Sequence, residues 1–423
     1  MEIKTIKKFH RTLKPAPDKS ITHRALMFNA LAGGESRIQN ALLGLDCVST
    51  IECVKKLGAA VSVEGDTVRV RGAAAFKDAA LDVGNSGTTM RLFAGILSGA
   101  AGKYVLDGDA SIRRRPMKRV ILPLAEMGAD IRAEDGRAPL TVWGKKLTGI
   151  RYEMPVASAQ VKSAILLAGL CAEGTTTVYE PTPTRDHTEI MLKGMGADIA
   201  VSADGRTIDI RAGRLKNIDV EVPGDISSAA FPLILAAIVK GAELNLKGVG
   251  VNPTRTGILD VLKGCGAQME LYNVRRGVEK TADIRIAYAP LKPFSIAGDL
   301  VPRLIDEIPA LAVLACFIEG TSTIAGAAEL KVKESNRIEA LVRVLSAMGA
   351  DISDTDDGMI IRGTGSLRGG VVIDPLGDHR IAMAAAIAGA GAKRGVTVLN
   401  ASAAEVSYPG FYQSVLGDAC SGD

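Results

Sequence analysis

A chain of 423 residues, 47% hydrophobic and 23% charged, has the balance of a globular protein and is too long for one ordinary core, so two domains of similar size are expected. Its net charge of +4 and pI near 8.6 are too mild for a nucleic-acid partner, although local clusters of Arg and Lys could serve a small anionic substrate. The six cysteines form no Cys-x-x-Cys pair, Met1 to Lys8 lack the apolar core of a signal peptide, and no apolar run approaches membrane-spanning length, so a cytoplasmic protein with reduced thiols is expected.

The first strong element starts at Asp18-Lys19-Ser20-Ile21-Thr22-His23-Arg24 and runs into Ala25-Leu26-Met27-Phe28. Asp18 is a good N-cap, and Lys19/His23 and Ser20/Arg24 fall one turn apart. Free N–H groups, the positive end of the helix dipole, a hydroxyl and two cations then meet near one point, which makes an anion site. Taken alone, the pattern is simply a capped helix.

Further along, one phrase recurs: an amphipathic helix, then Gly-Ala, a strand, a polar turn and a second strand. It appears at Leu57-Gly58-Ala59, Met127-Gly128-Ala129, Met195-Gly196-Ala197, Cys265-Gly266-Ala267 and Met348-Gly349-Ala350, with a frayed copy at Leu416-Gly417-Asp418, at steps of 68 to 83 residues. Six copies of one unit follow. Each unit also holds a helix that is apolar nearly all round, as in Ser163 to Cys171 and Ile308 to Phe317, and such helices must be buried on every side. These helices stop before Thr/Val-rich strands such as Thr175-Thr176-Thr177-Val178-Tyr179. Asp204-Gly205 between two alternating runs signals a hairpin.

The unit is therefore βαβαββ and the fold class α/β: an inside-out barrel in each of two domains, three repeats apiece, with buried parallel helices inside and sheets outside. Residues 16–223 are expected to form the N-terminal domain. Residues 224–423 are expected to form the C-terminal domain, completed by residues 1–15. The sixth unit stops at its second helix, Phe411 to Leu416, and lacks the following hairpin. Glu2-Ile3-Lys4-Thr5-Ile6 could supply a missing strand.

The repeat makes six inner-helix starts equivalent: Asp18-Lys19-Ser20, Gly84-Asn85-Ser86-Gly87, Ala157-Ser158-Ala159-Gln160, Asp225-Ile226-Ser227, Asp306-Glu307-Ile308 and Asp378-His379-Arg380. Parallel helices would turn three positive ends per domain toward one cleft, an anion trap. Loops expected at the same level add Arg113-Arg114-Arg115-Pro116, Thr184-Arg185-Asp186-His187 and Lys331-Val332-Lys333-Glu334-Ser335-Asn336-Arg337. Singly, Asp306 looks like an N-cap, Glu334 like a glutamate paired with Arg337, and His379 like a hydrogen-bonded structural histidine. As a set at equivalent positions they point to a site, with Arg113 and Arg114 left as solvated charge.

Asp18-Lys19-Ser20 with Arg24, Gly84-Asn85-Ser86-Gly87-Thr88 with Arg91, Val332-Lys333-Glu334-Ser335 with Arg337, and Asp378-His379-Arg380 together resemble the 5-enolpyruvylshikimate 3-phosphate synthase family over essentially the whole chain. The resemblance implies an enzyme that moves the enolpyruvyl group of phosphoenolpyruvate to the 5-hydroxyl of shikimate 3-phosphate and releases phosphate. It implies no cofactor, no metal and a monomer acting on small molecules, with neither nucleic acid nor membrane as partner. By the same resemblance Lys19, Ser20, Arg24, Ser158, Ala159 through its backbone, Gln160, Arg185, Asp306 and Lys333 hold shikimate 3-phosphate. Lys19, Gly87, Arg115, Gln160, Arg337 and Arg380 hold phosphoenolpyruvate. Asp306 is the base and Glu334 the acid, with Lys19 assisting, although cations beside Glu334 act to lower its pKa.

Four positions depart from the family pattern, Ala159 among them, in place of a serine seen in some members. Asn336 stands where many relatives have Asp, Pro17 where Gly is common, and Val406 where some members place a lysine on phosphoenolpyruvate. A UDP-N-acetylglucosamine enolpyruvyl transferase shares the repeat, but it carries Lys-Asn early and a reactive Cys in an Arg-rich loop; here the early motif is Lys-Ser and residues 107 to 120 contain no Cys. An RNA 3'-phosphate cyclase-like protein, with His379 as nucleophile, is opposed by the low aromatic content of 4% and the absence of a Walker-type loop. A non-catalytic binding ring would leave Asp306 and Glu334 unexplained.

Overall fold

The computed structural model describes residues 1–421 and divides into two compact units, one from Pro17 to Val222 and one formed by Met1–Ala16 with the chain from Pro223 onward. The described residues contain six four-stranded sheets, and all six share one order: a parallel pair, then two antiparallel neighbours. In the second repeat this runs Ala79–Asp82, Gly102–Asp107, Arg137–Gly144, Asp130–Glu134.

The Gly-Ala phrase has a local cause. At Gly58, Gly128, Gly196, Gly266 and Gly349 the backbone is left-handed, with φ between +84° and +109°. In each copy the glycine N–H donates to the carbonyl three residues back, and the alanine N–H to the carbonyl five back, as in Gly58 to Lys55 and Ala59 to Val54. This is the Schellman closure of a helix, which a residue without Cβ enters at least cost. It satisfies the last carbonyls and aims the chain into the hairpin.

The inner helices are Lys19–Leu31, Gly87–Ser98 and Ala159–Gly169 in one unit, and Ile226–Ile238, Ile308–Cys316 and His379–Gly391 in the other. The first is buried without interruption from Ser20 to Ala30, and the sixth from His379 to Ala390. Small residues permit close approach: a Cβ on Gly95 would lie 2.2 Å from the carbonyl oxygen of Ala164, so the second and third inner helices meet backbone to backbone.

Two strands are borrowed across the sequence. His10–Leu13, just ahead of the first inner helix, pairs parallel with Glu243–Gly250 of the fourth repeat. Val220–Glu221, just ahead of the fourth inner helix, pairs parallel with Glu35–Gln39 of the first. Glu2–Ile3 lies antiparallel between Arg394–Val398 and Cys420–Ser421. The sixth repeat therefore does not end at its second helix. A single π-helical turn, Tyr412–Leu416, is followed by the two-residue strand Cys420–Ser421, too short to carry an alternating signal.

Candidate active site

In the unit from Pro17 to Val222 the three inner-helix starts are capped by side chains: Asp18 Oδ1 accepts from the Ile21 N–H at 2.8 Å, Ser86 Oγ from Thr89 at 3.2 Å and Ser158 Oγ from Val161 at 3.5 Å. Lys19 Nζ pairs with Asp46 Oδ2 at 2.8 Å, and Ser20 Oγ accepts from Arg185 Nη1 at 2.5 Å. Arg24, only 2% exposed, donates from Nε to Thr188 Oγ1 and from Nη2 to Ser163 Oγ, so its plane is fixed before any ligand arrives. Gly87 lies between two guanidiniums. A Cβ there would meet Arg91 Nη1 at 2.6 Å and Arg115 Nη1 at 2.7 Å. Arg91 donates to Gln160 Oε1 at 2.9 Å, and Gln160 Nε2 to Thr88 Oγ1 at 3.0 Å, which ties the third helix start to the second.

A buried chain of hydroxyls links the first start to the second. His23 Nδ1 lies 2.7 Å from Thr50 Oγ1, which lies 2.7 Å from Thr89 Oγ1, which lies 2.6 Å from Ser86 Oγ. Burial, with Lys19 and Arg24 close by, holds His23 well below the usual imidazole range and therefore neutral at pH 7. Ala159 opens the third inner helix behind Ser158. Arg113 is exposed, as expected of a solvated charge, and forms a two-pronged surface pair with Asp107 at 2.9 and 2.6 Å.

The other unit gathers the acidic candidates. Asp306 Oδ1 has Lys333 Nζ at 3.5 Å, Arg337 Nη1 at 3.5 Å and Arg380 Nε at 3.9 Å around it. Glu334 Oε2 accepts from Arg337 Nη2 at 2.6 Å. Arg337 is fully buried and is further held by Asp378 at 2.8 and 3.2 Å. Burial pushes the Asp378 carboxyl up, but Arg337 and His379 outweigh this and hold it below the usual carboxylate range. Asp378 also caps the sixth inner helix by accepting from the Arg380 N–H.

Asp306 is not an N-cap; that position is Glu307, which makes no capping bond of its own. Asn336 caps the helix Arg337–Ala347 as an aspartate would, its Oδ1 accepting from the Glu339 N–H. His379 is buried at the first turn of its helix. Among the described residues, no group of three or more His, Cys, Asp or Glu could hold a metal ion, and no helix is long and apolar enough to cross a membrane.

Residues 3–415 match the family model described as EPSP synthase (3-phosphoshikimate 1-carboxyvinyltransferase). The chain belongs to the EPSP synthase family. A relative from Synechococcus sp. (strain WH7803), named 3-phosphoshikimate 1-carboxyvinyltransferase, is 51% identical over 411 residues, covering 94% of this chain and 93% of the relative. One of the same name from Thermoanaerobacter sp. (strain X514) is also 51% identical, over 403 residues, with 94% and 95% covered. The solved EPSP synthase of Acinetobacter baumannii superposes with a TM-score of 0.85 at 41% identity, covering 97% of this chain and 96% of that one. The enolpyruvyl transferase NikO of Streptomyces tendae, at 19% identity and a TM-score of 0.81, shares the fold.

Within this chain several site-building residues escape a sequence reading. Asp46, the partner of Lys19, sits in the first turn of the amphipathic helix Leu45–Lys56 and looks like an ordinary dipole-favoured acid. Its burial, with only 6% exposed, separates it from a surface residue. Thr188 and Ser163, which orient Arg24, lie on elements read for their apolar faces. Glu307 is buried beside Asp306; burial pushes its carboxyl up, and it accepts from Ser227 Oγ, which in turn accepts from Arg255 Nη2 at 2.6 Å.

Proposed function

We propose that the chain transfers the enolpyruvyl group of phosphoenolpyruvate to the 5-hydroxyl of shikimate 3-phosphate by addition and elimination. The observation that carries this reading is the cluster in which two carboxylates, Asp306 and Glu334, share the cation Arg337, with Lys333 and Arg380 also beside Asp306. Cations around a carboxylate favour its charged form, which suits Asp306 to take a proton, and the same cations offer paired donors to a phosphate or carboxylate. Asp306 takes the 5-hydroxyl proton as the hydroxyl oxygen attacks carbon 2 of phosphoenolpyruvate. Glu334, carrying a proton in the substrate complex, passes it to the methylene carbon, giving a tetrahedral intermediate. Glu334 then removes a methyl proton, the double bond re-forms as the carbon–oxygen bond to phosphate breaks, and the phosphate leaves with the proton that Asp306 had taken.

Shikimate 3-phosphate is held by Lys19, Ser20, Arg24, Ser158, the Ala159 backbone, Gln160, Arg185, Asp306 and Lys333. Lys19, Gly87, Arg115, Gln160, Arg337 and Arg380 hold phosphoenolpyruvate, and Lys19 assists proton transfer. The bare backbone at Gly87, flanked by Arg91 and Arg115, supports the placing of an anion there. The six free thiols, four of them buried, support a reducing, cytoplasmic setting, and we read the enzyme as a monomer.

Phosphate release from phosphoenolpyruvate with shikimate 3-phosphate, compared with the same mixture containing UDP-N-acetylglucosamine, tests the reaction. Release only with shikimate 3-phosphate is expected; release only with the nucleotide sugar, or with neither, would overturn it. Light scattering during size exclusion tests the monomer.

A further inference from the structure

Behind the Arg185 loop lies a buried ionic group that the chemistry above does not use. Lys162, in the third inner helix, is 1% exposed and bonds two carboxylates, Glu180 Oε2 at 2.8 Å and Glu189 Oε1 at 2.6 Å, whose side chains are 0% and 5% exposed. Ions so placed are costly to bury, and an apolar cluster would often stabilise the fold as well, so their retention calls for another reason. Burial pushes the Glu189 carboxyl up, while the Lys162 ammonium beside it acts to lower it.

The group converges on one residue. Glu180 accepts from the Thr184 hydroxyl through Oε1 and from the Thr184 N–H through Oε2 at 3.3 Å, while Lys162 Nζ donates to the Thr184 carbonyl at 3.3 Å. Every polar group of Thr184 is thereby held, and the carbonyl so held begins the peptide bond to Arg185. Arg185 Nη1 donates to Ser20 Oγ at 2.5 Å, at the start of the first inner helix.

We propose that Lys162, Glu180, Glu189 and Thr184 form an anchor that positions Arg185 for the phosphate of shikimate 3-phosphate. These are positioning residues that act through Arg185, and the proposal rests on the assignment of Arg185 to that phosphate. A guanidinium delivers its paired hydrogen bonds only within a narrow range of angles, so a loop released at Thr184 weakens phosphate binding without touching the ligand.

The test is a double-mutant cycle in the full-length enzyme, with binding of shikimate 3-phosphate read by calorimetry and the KM for phosphoenolpyruvate by phosphate release. Thr184→Val keeps the side-chain shape and removes only the hydroxyl. It should weaken shikimate 3-phosphate binding about tenfold and move the KM for phosphoenolpyruvate less than about twofold. In an Arg185→Ala background the same change should cost less than about twofold, because its route of action is gone. Glu180→Gln is the second variant and should repeat the pattern. If Arg185→Ala weakens binding but Thr184→Val does not, or adds its full factor on top, the anchor is wrong while the Arg185 assignment stands. If Arg185→Ala leaves binding intact, the Arg185 assignment itself fails. A lowered melting temperature with unchanged binding in Thr184→Val would reduce the group to a structural one.

Discussion

Glu334 shows how a residue can satisfy a structural and a chemical description at once. It accepts from Arg337 three residues on, as an ordinary pairing glutamate would, yet Arg337 also borders Asp306 and is clamped by Asp378. Removing Glu334 leaves Arg337 its buried partner, so Glu334→Ala should keep its fold and its binding of shikimate 3-phosphate, seen by calorimetry, while turnover falls by about 10²-fold or more. Near-normal turnover would remove Glu334 from the acid role. Asp306→Ala should lose turnover to a similar degree with binding still detectable.

Gly87 gives a second case. An added methyl would meet only the ends of two flexible side chains, Arg91 and Arg115, so the fold should absorb it while those guanidiniums shift. Gly87→Ala should raise the KM for phosphoenolpyruvate about tenfold, with the melting temperature and the affinity for shikimate 3-phosphate nearly unchanged. An unchanged KM would show that no anion binds against that backbone. Comparison of the repeat's helix starts singles out Gly87 and Asp306, and Glu334 comes from a loop expected at their level. The partners Asp46, Thr188 and Glu307 were not legible in the sequence, since each is a common residue whose role depends only on what folding brings beside it.

At the scale of elements, local chemistry carried most of the information. The Gly-Ala phrase announced helix ends because a left-handed residue and a two-bond closure require it, and the structure repeats that closure five times. All-apolar helices announced burial for a similar reason, as water cannot face any side of Ile308–Cys316. Two strands of two residues gave no warning. Val220–Glu221 and Cys420–Ser421 are too short for alternation and owe their existence to the sheet edge waiting for them.

The caps can be tested apart from the chemistry. Gly266 has φ +92° and open space where a Cβ would go, so Gly266→Ala isolates backbone strain. A loss of about 1 to 2 kcal/mol is expected in denaturant unfolding, with kcat and KM unchanged. Gly264, two residues earlier, has equally open space and lies inside the helix Gly257–Gly264. Gly264→Ala should therefore be neutral or stabilising by about 0.5 to 1 kcal/mol. Equal losses in the two variants would contradict the left-handed cap.

At the scale of the whole chain, the unit from Pro17 to Val222 is continuous, and its three four-stranded sheets draw every strand from within it. The other unit is not continuous. Its fourth-repeat sheet needs His10–Leu13 at one edge, its sixth-repeat sheet needs Glu2–Ile3 in an interior position, and Ile3 and Phe9 are buried to 1% and 2% exposure. Burying two such side chains contributes about 1.5 to 3 kcal/mol each, a large part of the 5 to 15 kcal/mol that holds a typical domain. Expressed alone, residues 17–222 should melt cooperatively by circular dichroism. A fragment starting at Pro223 should melt far lower or not fold, because an interior strand of one sheet and an edge strand of another are missing. Adding a peptide of residues 1–16 should restore cooperative melting in proportion to its concentration, as expected when a ligand binds only the folded state. If the fragment melts at the same temperature with and without that peptide, the terminal strands are ornaments on a unit that closes without them.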